Sequence, residues 1–264
     1  MKNWLKQDSL KRKQLIGMVS LLAALLSGGE LRAQGTATIV NGASFRAEQP
    51  VAPGSWASAF GTFSNVGTTQ NTVIPLPATL GGVSVTVDGT AARINFVSAT
   101  QINFLIPGQA AAGVRPVVVT TGSGTLNGTV RIVAAAPGIF RQDNAVPALG
   151  AILNQDSSAN AENRPAIRGQ AISIYATGQG ALSATVADGA AAPSNPPATS
   201  ITIPQVFIAG VEVPVEFSGL APNFAGLWQL NVRLPNLPFL SGRLPVLVYM
   251  NGVDSNEVAL YVAQ

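Results

Sequence analysis

Gln101-Ile102-Asn103-Phe104-Leu105-Ile106-Pro107 decides the fold, because it returns 128 residues later as Gln229-Leu230-Asn231-Val232-Arg233-Leu234-Pro235. In the second occurrence apolar Leu230, Val232 and Leu234 alternate with polar Gln229, Asn231 and Arg233. The first alternates in the same way, except that Leu105 stands where the last polar residue would be. A period of two means a strand with one face in a core. The closing proline has no N–H to give to a ladder, so it ends the strand. Two copies of one strand imply two copies of one β domain.

The segments around these strands repeat in the same order. Ile152-Leu153-Asn154 answers Ile39-Val40-Asn41, and 169–177 answers 54–62, with Tyr175 where Phe60 stands. The stretch 211–217 answers the strand ending at Phe96. Val83-Ser84-Val85-Thr86-Val87 followed by Asp88-Gly89 and the run 90–97 reads as a hairpin, and Asn251-Gly252 marks a second turn. Both central residues of a type I′ turn must accept positive φ, which Asp-Gly and Asn-Gly do. The first copy holds about seven strands in roughly 100 residues, the count of an immunoglobulin-like sandwich. The expected fold is all-β, with two tandem immunoglobulin-like β-sandwiches over 36–134 and 148–264, joined by a linker over 135–147. Apolar Ile139 and Phe140 within that linker are expected to pack at the junction.

Residues 1–33 read as a secretion signal. Lys2, Lys6, Lys11, Arg12 and Lys13 make a basic start, Leu15 to Leu26 an apolar run, and small residues lead to a cleavage site after Ala33. Twelve residues span roughly 18 Å as a helix, against about 30 Å of bilayer hydrocarbon, so no stable membrane span is expected after signal removal. The segment takes six of the 15 Lys+Arg and two of the 12 Asp+Glu with it, leaving nine Arg against ten acids, a net charge of −1. That balance offers no basic stripe to a phosphate backbone, so nucleic acid is excluded as a partner. Export without a single cysteine requires cores that hold without disulfides.

Several of these phrases carry a family likeness. They include 77–85 (Pro-Ala-Thr-Leu-Gly-Gly-Val-Ser-Val), the Gln-Ile-Asn-Phe strand, Ala136-Pro137-Gly138-Ile139-Phe140, 150–156, 175–180 and Gly219-Leu220-Ala221-Pro222. Together they resemble the C-terminal domain family of secreted acidobacterial proteins of uncharacterised function, similar in character to IPT/TIG immunoglobulin-like modules. The resemblance covers about residues 38–262. It implies a secreted pair of β-sandwiches and carries over no catalytic residue.

The side chains present restrict the chemistry. With no His and no Cys, and no Lys beyond the signal, Ser-His-Asp and Cys-His systems, Ser-Lys dyads, Schiff-base lysines and ordinary zinc or copper sites are removed. No cofactor is expected. Carboxylates remain, and the close pair is Glu212 and Glu216 in Val211-Glu212-Val213-Pro214-Val215-Glu216-Phe217. On one continuous strand their Cα atoms would stand roughly 13 Å apart. Glycoside hydrolysis needs about 5–9.5 Å between carboxyl groups, so a solvated face is the preferred reading. Asn154, Asp156, Ser158, Asn160 and Glu162 offer oxygens to calcium. Ala159 and Pro165 stand where an EF-hand needs Gly and a bidentate acid, so a turn is preferred.

Trp228 shares the parity of Leu230 and Val232 and is expected in the core. Trp56 and Phe224 are the candidate partner- or ligand-binding residues. Trp56 reads as an interface plug or second-sheet contact, with sugar stacking as its alternative. Phe224, in a loop that the first copy lacks, reads as packing on its own domain, with partner contact second. The stretch 178–204, rich in Ala, Pro, Ser and Gly, reads as a surface crossing rather than a recognition loop. The expected function is a non-catalytic exported interaction or structural module with an unknown protein or glycan partner at the cell envelope. Alternatives are a carbohydrate-binding module and, more remotely, a hydrolase using carboxylates alone.

Overall fold

Gln101–Leu105 and Trp228–Arg233 are interior strands of two separate antiparallel sheets in the computed structural model, which describes residues 35–264. The secretion signal and its cleavage site after Ala33 lie outside the described residues. Among the described residues the chain is all-β, without a helix long and apolar enough to cross a membrane.

The first half runs through β1 (Thr38–Asn41), β2 (Trp56–Phe60), β3 (Thr69–Gln70), β4 (Thr79–Leu80), β5 (Val83–Val87), β6 (Thr90–Ala91), β7 (Arg93–Val97), β8 (Gln101–Leu105), β9 (Gly113–Thr121) and β10 (Gly124–Ile132). One sheet has the order β1-β2-β8-β7-β3, and the facing sheet β10-β9-β5-β4, with β6 on β5. Period-two alternation sends Ala57, Ala59, Ile102 and Phe104 inward from one sheet to meet Val83, Val85, Val117 and Val119 from the other.

The second half continues as β11 (Gly138–Ile139), β12 (Ile152–Leu153), β13 (Ala171–Thr177), β14 (Gln205–Ile208), β15 (Val211–Val213), β16 (Val215–Leu220), β17 (Trp228–Arg233), β18 (Gly242–Met250), β19 (Val253–Asp254) and β20 (Val258–Val262). Its sheets are β11-β13-β17-β16, with β12 on β13, and β15-β14-β18-β19, with β20 on β18. Ile172, Ile174, Leu230 and Val232 face Val206, Ile208, Val246 and Val248 across the second core. Trp228 is fully buried there, and its Nε1–H donates to Ser218 Oγ at 3.0 Å.

The polar face of the repeated strand has the same construction in both copies. Asn103 Oδ1 accepts from Gln101 Nε2 and from Ser58 Oγ of the neighbouring strand, each at 2.8 Å. Asn231 Oδ1 accepts from Gln229 Nε2 at 2.8 Å and from Ser173 Oγ at 3.0 Å. Opposite each Asn the partner strand is irregular, between Ile94 and Phe96 in β7 and between Val215 and Phe217 in β16. The Gln-x-Asn spacing is thus a side-chain network that knits three polar groups across two strands.

Two readings of the strands change. Residues 90–97 and 211–217 are not continuous strands, because each crosses from one sheet of its sandwich to the other. β6 pairs with β5 while β7 pairs with β8, and β15 pairs with β14 while β16 pairs with β17. In the second copy the crossing falls at Pro214, which has no N–H with which to continue a ladder. Its carbonyl instead accepts from Arg233 N at 3.2 Å. Within 135–147, expected as a linker, Gly138–Ile139 form β11 against β13, and Ile139 lies in the second core rather than at the junction. Asn256 holds this strand, accepting from Ile139 N at 2.9 Å and donating to Ile139 O at 3.0 Å. The hairpin turns do have the positive φ they need, at Asp88 (50°) and Gly89 (77°), and at Asn251 (50°) and Gly252 (80°).

Asn103→Ala and Asn231→Ala each strand a Gln donor and a Ser donor, and each should lower stability by about 1–3 kcal/mol in urea unfolding. Gln205→Ala, an exposed side chain bonded only to Glu212, should change stability by less than about 0.5 kcal/mol.

Candidate functional site

Outer-face residues of the two central sheets meet where the sandwiches join. In β2 and β8, paired Trp56 and Leu105 lie on the face opposite the core. In β13, Tyr175 occupies the position that Phe60 holds in β2, since Tyr175 pairs with Gln229 as Phe60 pairs with Gln101. Trp56 and Leu105 pack with Ala43 and Leu76 from the first sandwich and with Phe140, Leu153, Tyr175 and Leu227 from the second. Trp56 is only 8% exposed, so its ring presents no face on which a sugar could stack. Phe224 is half-buried against the same cluster. The two candidate binding residues are therefore brought together, but as parts of a seam between domains. Phe224 packs at this seam rather than solely over its own sandwich.

Hydrogen bonds cross the same seam. Trp56 N–H donates to Thr177 Oγ1 at 2.8 Å, and both groups are buried. Asn41 Nδ2 donates to Ala136 O at 3.2 Å while its Oδ1 accepts from Ala43 N at 3.0 Å. Gln49 donates to Pro137 O, and to Asp254 O at 3.1 Å. The Arg141 guanidinium lies 5.3 Å from the ring centre of Phe45, which meets Phe60 edge-on at 5.9 Å. Burial lowers the Arg141 pKa from its ordinary value, and Asp143 works in the opposite direction.

Close backbone approach makes the seam possible. Gly178 has φ +88°, and a Cβ there would stand 1.8 Å from Ala136 O. A Cβ on Gly138 would stand 2.4 Å from Asn41 Oδ1. Gly178 thus lets the segment leading into β11 lie close against the end of β13 within the second sandwich, and Gly138 lets β11 meet Asn41 of the first. Buried Tyr175 carries the electrostatic counterpart: desolvation pushes its phenol up from 10.0 to about 12.

The stretch 178–204 is not a free surface crossing. It straps the seam: Gly108 N donates to Asp188 Oδ1 at 2.9 Å and Leu76 N to Gly189 O at 2.8 Å. Ala192 N donates to Phe224 O at 2.9 Å, and Ala192 and Ala198 are buried with Leu220. Composition alone missed this, because alanine and glycine look featureless in sequence although they are what a tightly apposed strap requires.

The other candidate chemistry does not converge. Glu212 on β15 and Glu216 on β16 belong to different sheets, contrary to a shared strand face. Glu212 accepts from Gln205 Nε2 at 3.2 Å, whereas Glu216 accepts from Arg233 Nε at 2.6 Å in an exposed pair. The oxygens of the 154–164 turn serve the protein itself. Asp156 Oδ1 accepts from Ser158 N at 2.9 Å and Ser158 Oγ at 2.6 Å, bonds that lower its pKa. Asn160 Oδ1 accepts from Tyr261 N at 2.7 Å, and Asn154 Oδ1 accepts from Asn160 Nδ2 at 3.0 Å. Among the described residues there is no group of three or more His, Cys, Asp or Glu arranged to hold a metal.

The sequence profile of the IPT/TIG domain matches residues 33–132, the first sandwich. No curated protein matches the chain in sequence. Among solved structures, the chain is similar to SGBP-B of a Bacteroides ovatus mixed-linkage glucan utilization locus, in complex with a mixed-linkage heptasaccharide. That match has 12% identity and TM-score 0.34, over 81% of this chain and 42% of that one. SGBP-B from a Bacteroides uniformis xyloglucan utilization locus matches at 14% identity and TM-score 0.28, over 81% and 46%. The titin immunoglobulin tandem A164-A165 matches at 9% identity and TM-score 0.24, over 82% and 94%. The chain spans less than half the length of the two Bacteroides proteins. The fold class is a tandem of immunoglobulin-like sandwiches.

Gly178→Ala should destabilise the protein by more than about 1 kcal/mol in denaturant unfolding, because the added Cβ meets backbone and the φ is unfavourable. The Tyr175 phenol keeps its proton longer in the fold than in the unfolded chain. Its contribution is therefore complete below pH 10 and lost as pH rises toward 12. Melting temperature should fall over that window, and Tyr175→Phe should fall less steeply there.

Proposed function

We propose that this chain is a non-catalytic exported module in which two immunoglobulin-like sandwiches form one rigid unit that holds a partner at the cell envelope. The observation that carries this reading is the seam. A buried aromatic such as Trp56 contributes about 3–5 kcal/mol by truncation, whereas an exposed ion pair such as Arg233–Glu216 contributes about 0.2–1 kcal/mol. Buried aromatic contacts rather than exposed ion pairs thus keep the two domains at a set angle. Carboxylates that are separated and individually paired support a holding role over turnover. Export rests on the basic and apolar pattern of residues 1–33.

Protein is the first partner class, recognised by loops at a sandwich end or by a strand edge. Exposed Phe239 and Ile167 support the loop end, since Arg168, beside Ile167, donates to Leu240 O at 3.2 Å and ties the two loops together. Glycan is the second class. With Trp56 and Phe224 in the seam, the aromatics offered to a sugar among the described residues are Phe239 and Tyr249.

Small-angle scattering should give a single narrow distribution of interdomain distances for the natural chain. Trp56→Ala, at a cost of about 3–5 kcal/mol, should broaden the distribution of interdomain distances. An equally broad distribution in the natural chain would end the rigid-unit reading. A glycan array with Phe239→Ala and Tyr249→Ala separates the partner classes: binding lost in either variant selects glycan, and no glycan binding selects protein.

A further inference from the structure

Beneath the strap, the two sandwiches leave a cleft of about 420 Å³, walled by Pro53, Gly54 and Leu105 on one side and by Gln179, Leu182 and Val186 on the other. That volume falls in the roughly 300–1,000 Å³ range of small-molecule sites. The walls are mostly aliphatic, with no aromatic side chain, and Asp188 is the one charged residue among those that line it.

Gln179 sets the cleft apart. It is 2% exposed, and its Oε1 is buried with no hydrogen-bond partner among the described residues. Its Nε2 lies over Gly54, 3.8 Å from where a Cβ on that glycine would stand. A buried carboxamide has two donors and two acceptor positions, and native proteins nearly always fill some of them. Leaving such a group unpaired costs stability, so its retention at a cleft wall calls for a partner from outside the chain. By contrast, Thr177, two residues earlier and equally buried, is bonded to Trp56 N.

We infer that this interdomain cleft binds a small neutral molecule whose amide or lactam edge pairs with the Gln179 carboxamide while its aliphatic body fills the space under the strap. An amide edge offers a donor beside an acceptor, which is the complement of a carboxamide in either orientation. Asp188 disfavours an anion, and the missing aromatics give a sugar ring nothing to stack on. The site is independent of whatever the loop end of the second sandwich holds.

The test uses the full exported chain, with ε-caprolactam as the neutral lactam probe and hexanoate as the anionic one. Caprolactam should shift the side-chain amide resonances of Gln179 saturably and raise the melting temperature, and hexanoate should do neither. Gln179→Leu should keep or raise the stability of the free protein and weaken caprolactam binding by about tenfold or more. Ala184→Trp, which places bulk at an exposed part of the lining, should block binding with the amide still in place, and it decides the matter if the first variant does not fold. The proposal is overturned by equal binding of hexanoate, by caprolactam binding that survives both substitutions, by no saturable shift, or by a folded but destabilised Gln179→Leu.

Discussion

The contact between Trp56 and the second sandwich is the constraint on which the arrangement of this molecule depends. Its ring closes an apolar corner with side chains of the second sandwich, and its N–H, at the start of a strand, donates to Thr177 of the other domain. An unpaired N–H in that buried position would cost about 1–3 kcal/mol, and an exposed indole more apolar surface still. Both are satisfied at one interdomain orientation. That is why the strap, the Gly178 approach and the Asn41–Ala136 bond all lie around the same point.

Duplication explains how the seam arose from one design. The Gln-x-Asn network, the irregularity opposite it and the change of sheet before it recur in both copies with matching pairings. What differs is the outer face. Trp56 in β2 corresponds to Ala171 in β13, and Phe60 corresponds to Tyr175. The first copy is therefore apolar at the start of its strand, and the second uses an aromatic near the end of its own. A head-to-tail pair buries both, and the outer position that is left, Phe60, meets Phe45 edge-on, with the Arg141 guanidinium over the Phe45 ring.

Period-two alternation made the strands and both cores legible, and parity alone placed Trp228 inside. Asp-Gly and Asn-Gly identified two turns by the φ they tolerate. Alternation says which residues leave the core face, but not what lies beyond that face. Trp56 accordingly read as an interface plug or second-sheet contact and Phe224 as packing on its own domain, each with an outside partner as the alternative, and both lie in the seam between the domains. Pro214 could have signalled the change of sheet, since it cannot continue a ladder; the matching change at Ala92 carries no such residue. The strap was hidden by its composition, because close packing of alanine and glycine depends on what faces them.

By itself the sequence determined a duplicated all-β chain without imidazole, thiol or, past its first segment, amine side chains. These are local properties of periodicity and residue type. Only the tertiary structure decided that the two units share a buried seam, that Glu212 and Glu216 part into different sheets, and that Gln179 Oε1 is enclosed without a hydrogen-bond partner among the described residues. Each of those depends on which surfaces meet, a relation between residues far apart in the chain that no window of sequence contains.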